Sequence, residues 1–256
     1  MSAKVEKESD EEAIAEQPFL RIGETPVYFS EDWNTGIGGG LWSTGLALAH
    51  YFATDHAADS IQRLRRTNRH RLSVLELGSG NGFLSVCLLA LARDSLANLV
   101  VTDTAEHLAM MQKIIDANSH LMNGATNDVP VHVLEHLWGE FQASPSSSSS
   151  PADSSSGSLV DRVLQGNHQF DLIIGSDLAY RKELYDPLIA SLLQYSHEKT
   201  VALIGVTMAD TTPSFFHRLT ASGLVYEKFG ADLLEPEFRG TTFGVFMIRR
   251  RQESMR

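Results

Sequence analysis

The stretch Val74-Leu75-Glu76-Leu77-Gly78-Ser79-Gly80-Asn81-Gly82-Phe83-Leu84 decides how the chain folds. The apolar residues Leu72, Val74, Leu75 and Leu77 read as a short buried strand that stops at Gly78, Gly80 and Gly82. Helical spacing begins directly afterwards, at Phe83-Leu84-Ser85-Val86-Cys87-Leu88-Leu89. Strand, glycine turn and helix in that order bring bare backbone and a helix N-terminus up to a ligand. Glycine serves there because, lacking Cβ, it takes positive φ and lets other groups approach closely. A dinucleotide turn asks for G-x-G-x-x-G/A, whereas the sixth position here is Phe83. The pattern is instead Glu76-x-Gly78-x-Gly80-x-Gly82, with an acid two residues ahead of the first glycine.

Downstream of the turn, strand and helix patterns alternate. Leu99-Val100-Val101-Thr102-Asp103 is a second strand that ends in an acid 21 residues after Gly82. In a doubly wound sheet a carboxylate at that place can accept ribose hydroxyl protons. Asp103 can equally cap a helix over 105–117, and the two roles are compatible. Val129–Leu137 supplies a third strand, followed by Trp138-Gly139, and Phe170–Gly175 a fourth, followed by Ser176-Asp177-Leu178-Ala179-Tyr180. A helix over about 181–195, a strand at 201–206 and a helix near 213–221 follow, and 224–228 and 242–248 close the chain as paired strands. The pattern predicts a doubly wound α/β fold, a mostly parallel seven-stranded sheet with an antiparallel C-terminal hairpin.

Upstream, residues 18–30 suit a short hairpin or edge covering, and Gly36, Gly38, Gly39 and Gly40 lead into a helix over 41–52. Leu41, Leu48 and Phe52 share one face of it, and Trp42 stands at its first turn, as a packing residue or a ligand contact. The arginines at 63, 65, 66, 69 and 71 read as a solvated helix end and loop.

Composition narrows the function classes. At 256 residues with 43% apolar content, the chain can build one large core. The single cysteine, Cys87, excludes an internal disulfide framework and points to a reducing compartment. The ten histidines show no metal-ligand spacing, so no metal is expected. No apolar run approaches the ~20 residues of a membrane helix, and the acidic N-terminus is unlike a signal peptide, so a cytoplasmic location is expected, with the nucleus as the alternative. A formal charge of −11 disfavours nucleic acid as a partner. Residues 1–17, with six acids and two lysines, read as a disordered tail, and residues 143–158, with ten serines, as a disordered insertion within a single domain spanning 18–251.

Four separated pieces then resemble family 16 of the class I, seven-β-strand methyltransferases, whose members are mostly protein-lysine methyltransferases. They are Gly40-Leu41-Trp42, the Glu76–Gly82 turn, Leu137-Trp138-Gly139, and Asp177-Leu178-Ala179-Tyr180 in the D-x-x-Y form. The resemblance implies S-adenosyl-L-methionine as cofactor. It implies that Trp42 packs beside it, that Gly78, Ser79 and Gly80 line its methionine and ribose portion, and that Asp103 holds the ribose hydroxyls. Trp138 borders the adenine on this reading, Ser176 contacts the cofactor, and Asp177 and Tyr180 face the incoming amine. Ser43-Thr44-Gly45 and the serine insertion depart from the family pattern, at places where substrate choice can differ.

The implied reaction is methyl transfer to a lysine ε-amine of a protein substrate, with a translation elongation factor as one candidate and a monomeric enzyme expected. A lysine pKa near 10.4 means that a neutral amine at pH 7 costs roughly 4–5 kcal/mol, which the site offsets by desolvation and orientation. Asp177 is expected to orient the amine rather than act as a general base, and Tyr180 to offer a hydroxyl or a π face. A methyltransferase for a small molecule or a non-lysine side chain, and an inactive cofactor-binding scaffold, are the alternatives.

Overall fold

A computed structural model describes residues 17–123, 128–141, 158–240 and 242–252. The chain opens with a small hairpin, β1 (Leu20–Ile22) and β2 (Thr25–Val27), and two short 3-10 turns at Trp33–Thr35 and Ile37–Gly39. Helices α1 (Ser43–Phe52) and α2 (Asp55–Asn68) come next. The alternating part consists of β3 (Leu72–Glu76), α3 (Phe83–Ala92), β4 (Leu96–Asp103), α4 (Leu108–Ala117), β5 (Val131–Glu135), α5 (Leu159–Leu164), β6 (Phe170–Ser176), α6 (Tyr185–Tyr195) and β7 (Ser196–Thr207). Helix α7 (Pro213–Ala221), β8 (Leu224–Lys228) and β9 (Phe243–Arg250) complete it.

The large sheet has the order β5-β4-β3-β6-β7-β9-β8. Its first five strands are parallel, and β9 runs antiparallel to both β7 and β8. All five residues of β3 are buried, because a central parallel strand is covered on both faces. The two-residue period of a strand sends Leu72 and Val74 to one core and Leu75 to the other. The first core is closed by α1, α3 and α4, through Leu48, Phe52, Val86 and Ile114. The second is closed by α6 and α7, through Leu188, Leu192, Phe215 and Leu219. Each such side chain, fully buried, contributes roughly 1.5–3 kcal/mol. The strand order reverses between β3 and β6, which opens a crevice beyond their carboxyl ends.

The doubly wound fold read from the sequence is the observed one, including the hairpin at 18–30 and the buried Cys87. Three local features differ. Residues 55–68 form a complete helix, started by Thr54, whose hydroxyl accepts from Ala57 N at 3.2 Å. The closing strands are not merely an edge hairpin: β9 inserts between β7 and β8, so the last strand is internal. The acidic tail and the serine insertion lie outside the described residues, apart from Gln17 and Ser158. Ser158 belongs to the fold, because it and Asp161 form a reciprocal capping box that starts α5. No helix among the described residues is long and apolar enough to cross a membrane.

Candidate active site

A cavity of about 610 Å³ lies over the switch point, within the roughly 300–1,000 Å³ usual for small-molecule sites. The carboxyl ends of β3, β4, β6 and β7 form its floor, and residues 37–42 form one wall. All nine residues singled out from the sequence, Trp42, Gly78, Ser79, Gly80, Asp103, Trp138, Ser176, Asp177 and Tyr180, line this one cavity.

The turn after β3 is shaped by contacts that leave no space for side chains. Gly78 has φ +57°, and a Cβ there would stand 2.6 Å from the Trp138 ring and 2.7 Å from Leu178. Gly80 has φ +66°, and a Cβ would meet the Gly38 carbonyl at 2.5 Å. Both positions therefore require glycine for conformation and for space. Ser79 spends its hydroxyl inside the turn, accepting from Gly82 N at 2.9 Å. Asp103 braces the turn from β4: Oδ2 accepts from Gly80 N at 2.7 Å, and Oδ1 accepts from Thr104 N at 2.7 Å and meets His107 Nδ1 at 2.7 Å. With Oδ1 saturated, Asp103 retains one acceptor position, on Oδ2, for a ligand hydroxyl. Beneath the turn the buried carboxylate of Glu76 accepts from Ser85 Oγ. Its pKa is pushed up to about 7, first by burial and also by the Asp103 charge, against the hydrogen bonds from Ser85 and Ser79.

Across the cavity, Asp177 opens the loop after β6 with φ +53°, a conformation uncommon outside glycine. Its Oδ2 accepts from Thr44 N at 3.1 Å and Thr44 Oγ1 at 2.7 Å, and its Oδ1 accepts from Thr207 Oγ1 at 2.6 Å. Asp177 thus caps α1, whose own N-cap residue Trp42 has no side-chain acceptor. It faces the cavity with one acceptor position left on Oδ1. Trp42 is held by Nε1 donating to Ile37 O at 2.9 Å and by an edge contact with Trp33, ring centroids 6.0 Å apart. Ser176 packs against Gly45 of α1. Tyr180, 42% exposed, stands at the rim.

Several site residues were not visible in the sequence. Asn81 bridges the turn to the wall, donating from Nδ2 to Gly40 O at 2.8 Å while its Oδ1 accepts from Phe83 N at 3.0 Å. Its position between Gly80 and Gly82 was the available signal. Thr44, Thr207 and His107 had none, since their roles depend on partners on other elements. The described lining residues include six carboxylates (Glu76, Asp103, Glu106, Glu140, Asp177 and Asp210) and no Lys or Arg. Such a cavity attracts cationic ligands and repels phosphates. No group of three or more described His, Cys, Asp or Glu side chains is arranged to hold a metal ion.

Strand order 5-4-3-6-7-9-8, with an acid-and-glycine turn at the switch point and a carboxylate ending the adjacent strand, defines a class I methyltransferase architecture. A family model described as lysine methyltransferase matches residues 22–153, just over half of the chain, and the chain belongs to that family. Its relatives include a UPF0665 family protein of Schizosaccharomyces pombe, 25% identical over 80% of this chain and 53% of that protein. The protein N-lysine methyltransferase METTL21A of Danio rerio is 24% identical over 70% of this chain and 65% of its own length. The protein-lysine N-methyltransferase EFM6 of Saccharomyces cerevisiae is 23% identical over 72% of this chain and 73% of its own. The chain thus spans about half of the first relative and about two thirds of the second.

Proposed function

We propose that the chain is an S-adenosyl-L-methionine-dependent protein-lysine N-methyltransferase. The observation that carries this reading is the single cavity joining a glycine turn and its bracing acid Asp103 to Asp177 and Tyr180, lined by carboxylates without a Lys or Arg among the described residues. The residues fit this cofactor. The glycine turn forms part of the cavity wall, the free acceptor on Asp103 Oδ2 suits a ribose hydroxyl, and the acidic lining suits a sulfonium. A pyrophosphate at the same place would face Asp103 with no Lys or Arg among the described lining residues to compensate it.

S-adenosylmethionine, when bound, supplies an electrophilic methyl group. The chain's own residues position its two reactants. Trp138 and Leu178, from the loops after β5 and β6, occupy the space beside Gly78 and so bound the donor side of the cavity. Asp177, immobilised by Thr44 and Thr207, presents a fixed negative charge, and its remaining lone pair can orient an amine. Because the carboxylate is engaged by three donors, orientation rather than proton removal is its role. Tyr180 offers its ring face or hydroxyl at the entrance. Leu41, Trp42 and Leu178 give the lining an apolar part, against which a lysine stem can pack and whose desolvation offsets the pull of the carboxylates on the amine's proton. The METTL21A and EFM6 relatives, both named as protein-lysine methyltransferases, support lysine as the acceptor, and a translation elongation factor is the first protein to test.

The test is incubation of the purified chain with radiolabelled S-adenosylmethionine and a cell extract. Label on lysine of a protein band, located by mass spectrometry, is the expected result. Label in small molecules or on another side chain overturns the lysine assignment. NAD uptake without any heat on titration with S-adenosylhomocysteine overturns the methyltransferase reading itself.

A further inference from the structure

The segment 32–42 forms a strap across the glycine turn, and its contacts converge on one histidine. Gly38 is held between the turn and the His107 ring: its carbonyl lies 2.5 Å from where a Gly80 Cβ would stand, and a Cβ on Gly38 itself would sit 2.5 Å from His107 Nε2. Side chains outside the strap pin it: Thr35 Oγ1 donates to Met110 Sδ at 3.3 Å and Leu41 N to Glu31 Oε1 at 2.7 Å. Asn81 donates to Gly40 O at 2.8 Å, and His107 Nε2 lies 3.2 Å from Thr35 O. The other nitrogen of the same ring, Nδ1, lies 2.7 Å from Asp103 Oδ1. His107 is 6% exposed, so water does not substitute for either partner.

Both partners, a carboxylate and a peptide carbonyl, are acceptors, and a neutral imidazole carries only one N–H. A ring that donates to Asp103 while neutral turns its other lone pair on the Thr35 carbonyl. Only the imidazolium makes both bonds. Among the described residues the charged groups facing the ring are Asp103 at the end of β4 and Glu106 on the ring's own 3-10 turn, whose Oε1 is 4.0 Å from Nε2. The strap contributes the Thr35 carbonyl and Gly38, and Thr104 contributes a hydroxyl 3.3 Å from Nδ1.

We propose that His107 is a positioning residue of the donor site: as an imidazolium it ties the strap to Asp103, so that strap docking and presentation of Asp103 Oδ2 to the ligand are one event that depends on that proton. The proposal rests on the donor reading above. Asp103 has two tasks, bracing Gly80 and receiving a hydroxyl, and His107 occupies the oxygen that does neither. With Oδ1 engaged, the carboxylate cannot rotate away, and the strap cannot lift without breaking the same ring's second bond.

The experiment is calorimetric titration with S-adenosylhomocysteine from about pH 5.5 to 8.5, across the histidine range, with hydrogen exchange of the strap amides of Gly36 and Gly39, which donate within the strap. In the wild type, affinity falls and exchange at these amides quickens in step as pH rises. His107→Ala weakens binding roughly 10–100-fold at the acid end, as for loss of a hydrogen bond to a charged group, and leaves the strap exchanging fast at every pH. It removes the part of the pH step that parallels strap exchange, while Glu76, raised to about 7 beneath the same turn, keeps its own contribution to affinity. His107→Asn keeps a donor at the Nδ1 position and no strap contact. It recovers part of the affinity while the strap stays fast and the strap-linked pH step stays absent, which a merely space-filling histidine does not produce. Wild-type affinity and pH profile in His107→Ala, or unchanged exchange in both variants, overturns the proposal. A wild type that takes up no S-adenosylhomocysteine at any pH overturns the donor reading and this proposal with it.

Discussion

Asp177 caps helix α1 across 133 residues of sequence, its Oδ2 accepting from both the backbone N–H and the hydroxyl of Thr44, at 3.1 and 2.7 Å. The pairing is reciprocal, because Asp177 N lies 3.1 Å from Thr44 Oγ1. The residue that the D-x-x-Y pattern marks for the acceptor side also fastens the first helix of the domain to the switch-point loop.

Replacing Asp177 with Ala therefore affects more than turnover. Three donors lose their acceptor, and stability should fall by about 1–3 kcal/mol, as expected for a lost cap and unsatisfied buried groups. Denaturant unfolding reads the loss. Thr207→Val, which removes only the bond to Oδ1, should cost about 1 kcal/mol and reduce activity less. A wild-type unfolding midpoint in Asp177→Ala would show that the cap contributes nothing.

Gly78→Ala should damage the site through space as well as conformation. The new methyl would lie 2.6 Å from Trp138 and 2.7 Å from Leu178 at φ +57°, so the indole must move. The expected cost is about 1–3 kcal/mol of stability, with weaker S-adenosylhomocysteine binding and a shifted tryptophan emission. Gly23→Ala is the control: it has φ +59° with nothing within 4 Å, and so carries the conformational cost alone. Equal effects from the two substitutions would rule out the steric part.

Acid stability should follow two buried groups, Glu76 and His136, and the half-buried His168. Burial lowers the pKa of His136 to about 4 from 6.5, and burial reinforced by the nearby Arg162 charge does the same for His168. Between these values the unfolded chain binds two protons that the fold refuses, so stability falls as pH falls. Glu76 has the opposite sign: raised from 4.5 to about 7, it binds a proton in the fold before it does in the unfolded chain. Solvent screening discounts the half-buried His168, so from pH 6.5 down to 4.5 the balance among these groups is less than one proton, or less than about 1.4 kcal/mol lost per pH unit. Glu76→Gln removes the offset and should steepen that slope by about one proton, roughly 1.4 kcal/mol per pH unit, measurable by urea unfolding at several pH values. An unchanged slope would mean that Glu76 does not titrate in this range.

Tyr180 offers the cleanest separation of function from fold. It is 42% exposed, so Tyr180→Ala should change stability by no more than about 0.5 kcal/mol. If its ring meets the acceptor nitrogen, losing a cation–π contact of about 0.5–2 kcal/mol should lower kcat about 2–30-fold, with S-adenosylhomocysteine affinity retained. A parallel loss of affinity would move Tyr180 to the donor side.

How far the sequence could be read follows from the range of the forces involved. The glycine turn, the acid ending β4 and the alternation of strand and helix are local patterns, and each maps onto the observed elements. That the nine residues chosen from separated parts of the chain, seven of them in the four family-like pieces with Asp103 and Ser176 at strand ends, share one cavity follows from parallel strands, which all end at the same edge. The helix at 55–68 was missed because its arginine-rich half resembles a solvated loop, although Thr54 was available as its cap. The Ser158 capping box was hidden within a serine-rich run.

The amino-acid order by itself determined the class of fold, the turn that organises it and the edge where ligands gather, because two-residue and 3.6-residue periodicities and glycine's freedom act between near neighbours. Only the tertiary structure decided that β9 enters between β7 and β8, that Asp177 is held by Thr44 and Thr207, and that His107 joins Asp103 to the strap. Those bonds join residues brought together by strand order, and the strength of a buried carboxylate's contacts depends on which donors the folded chain places around it.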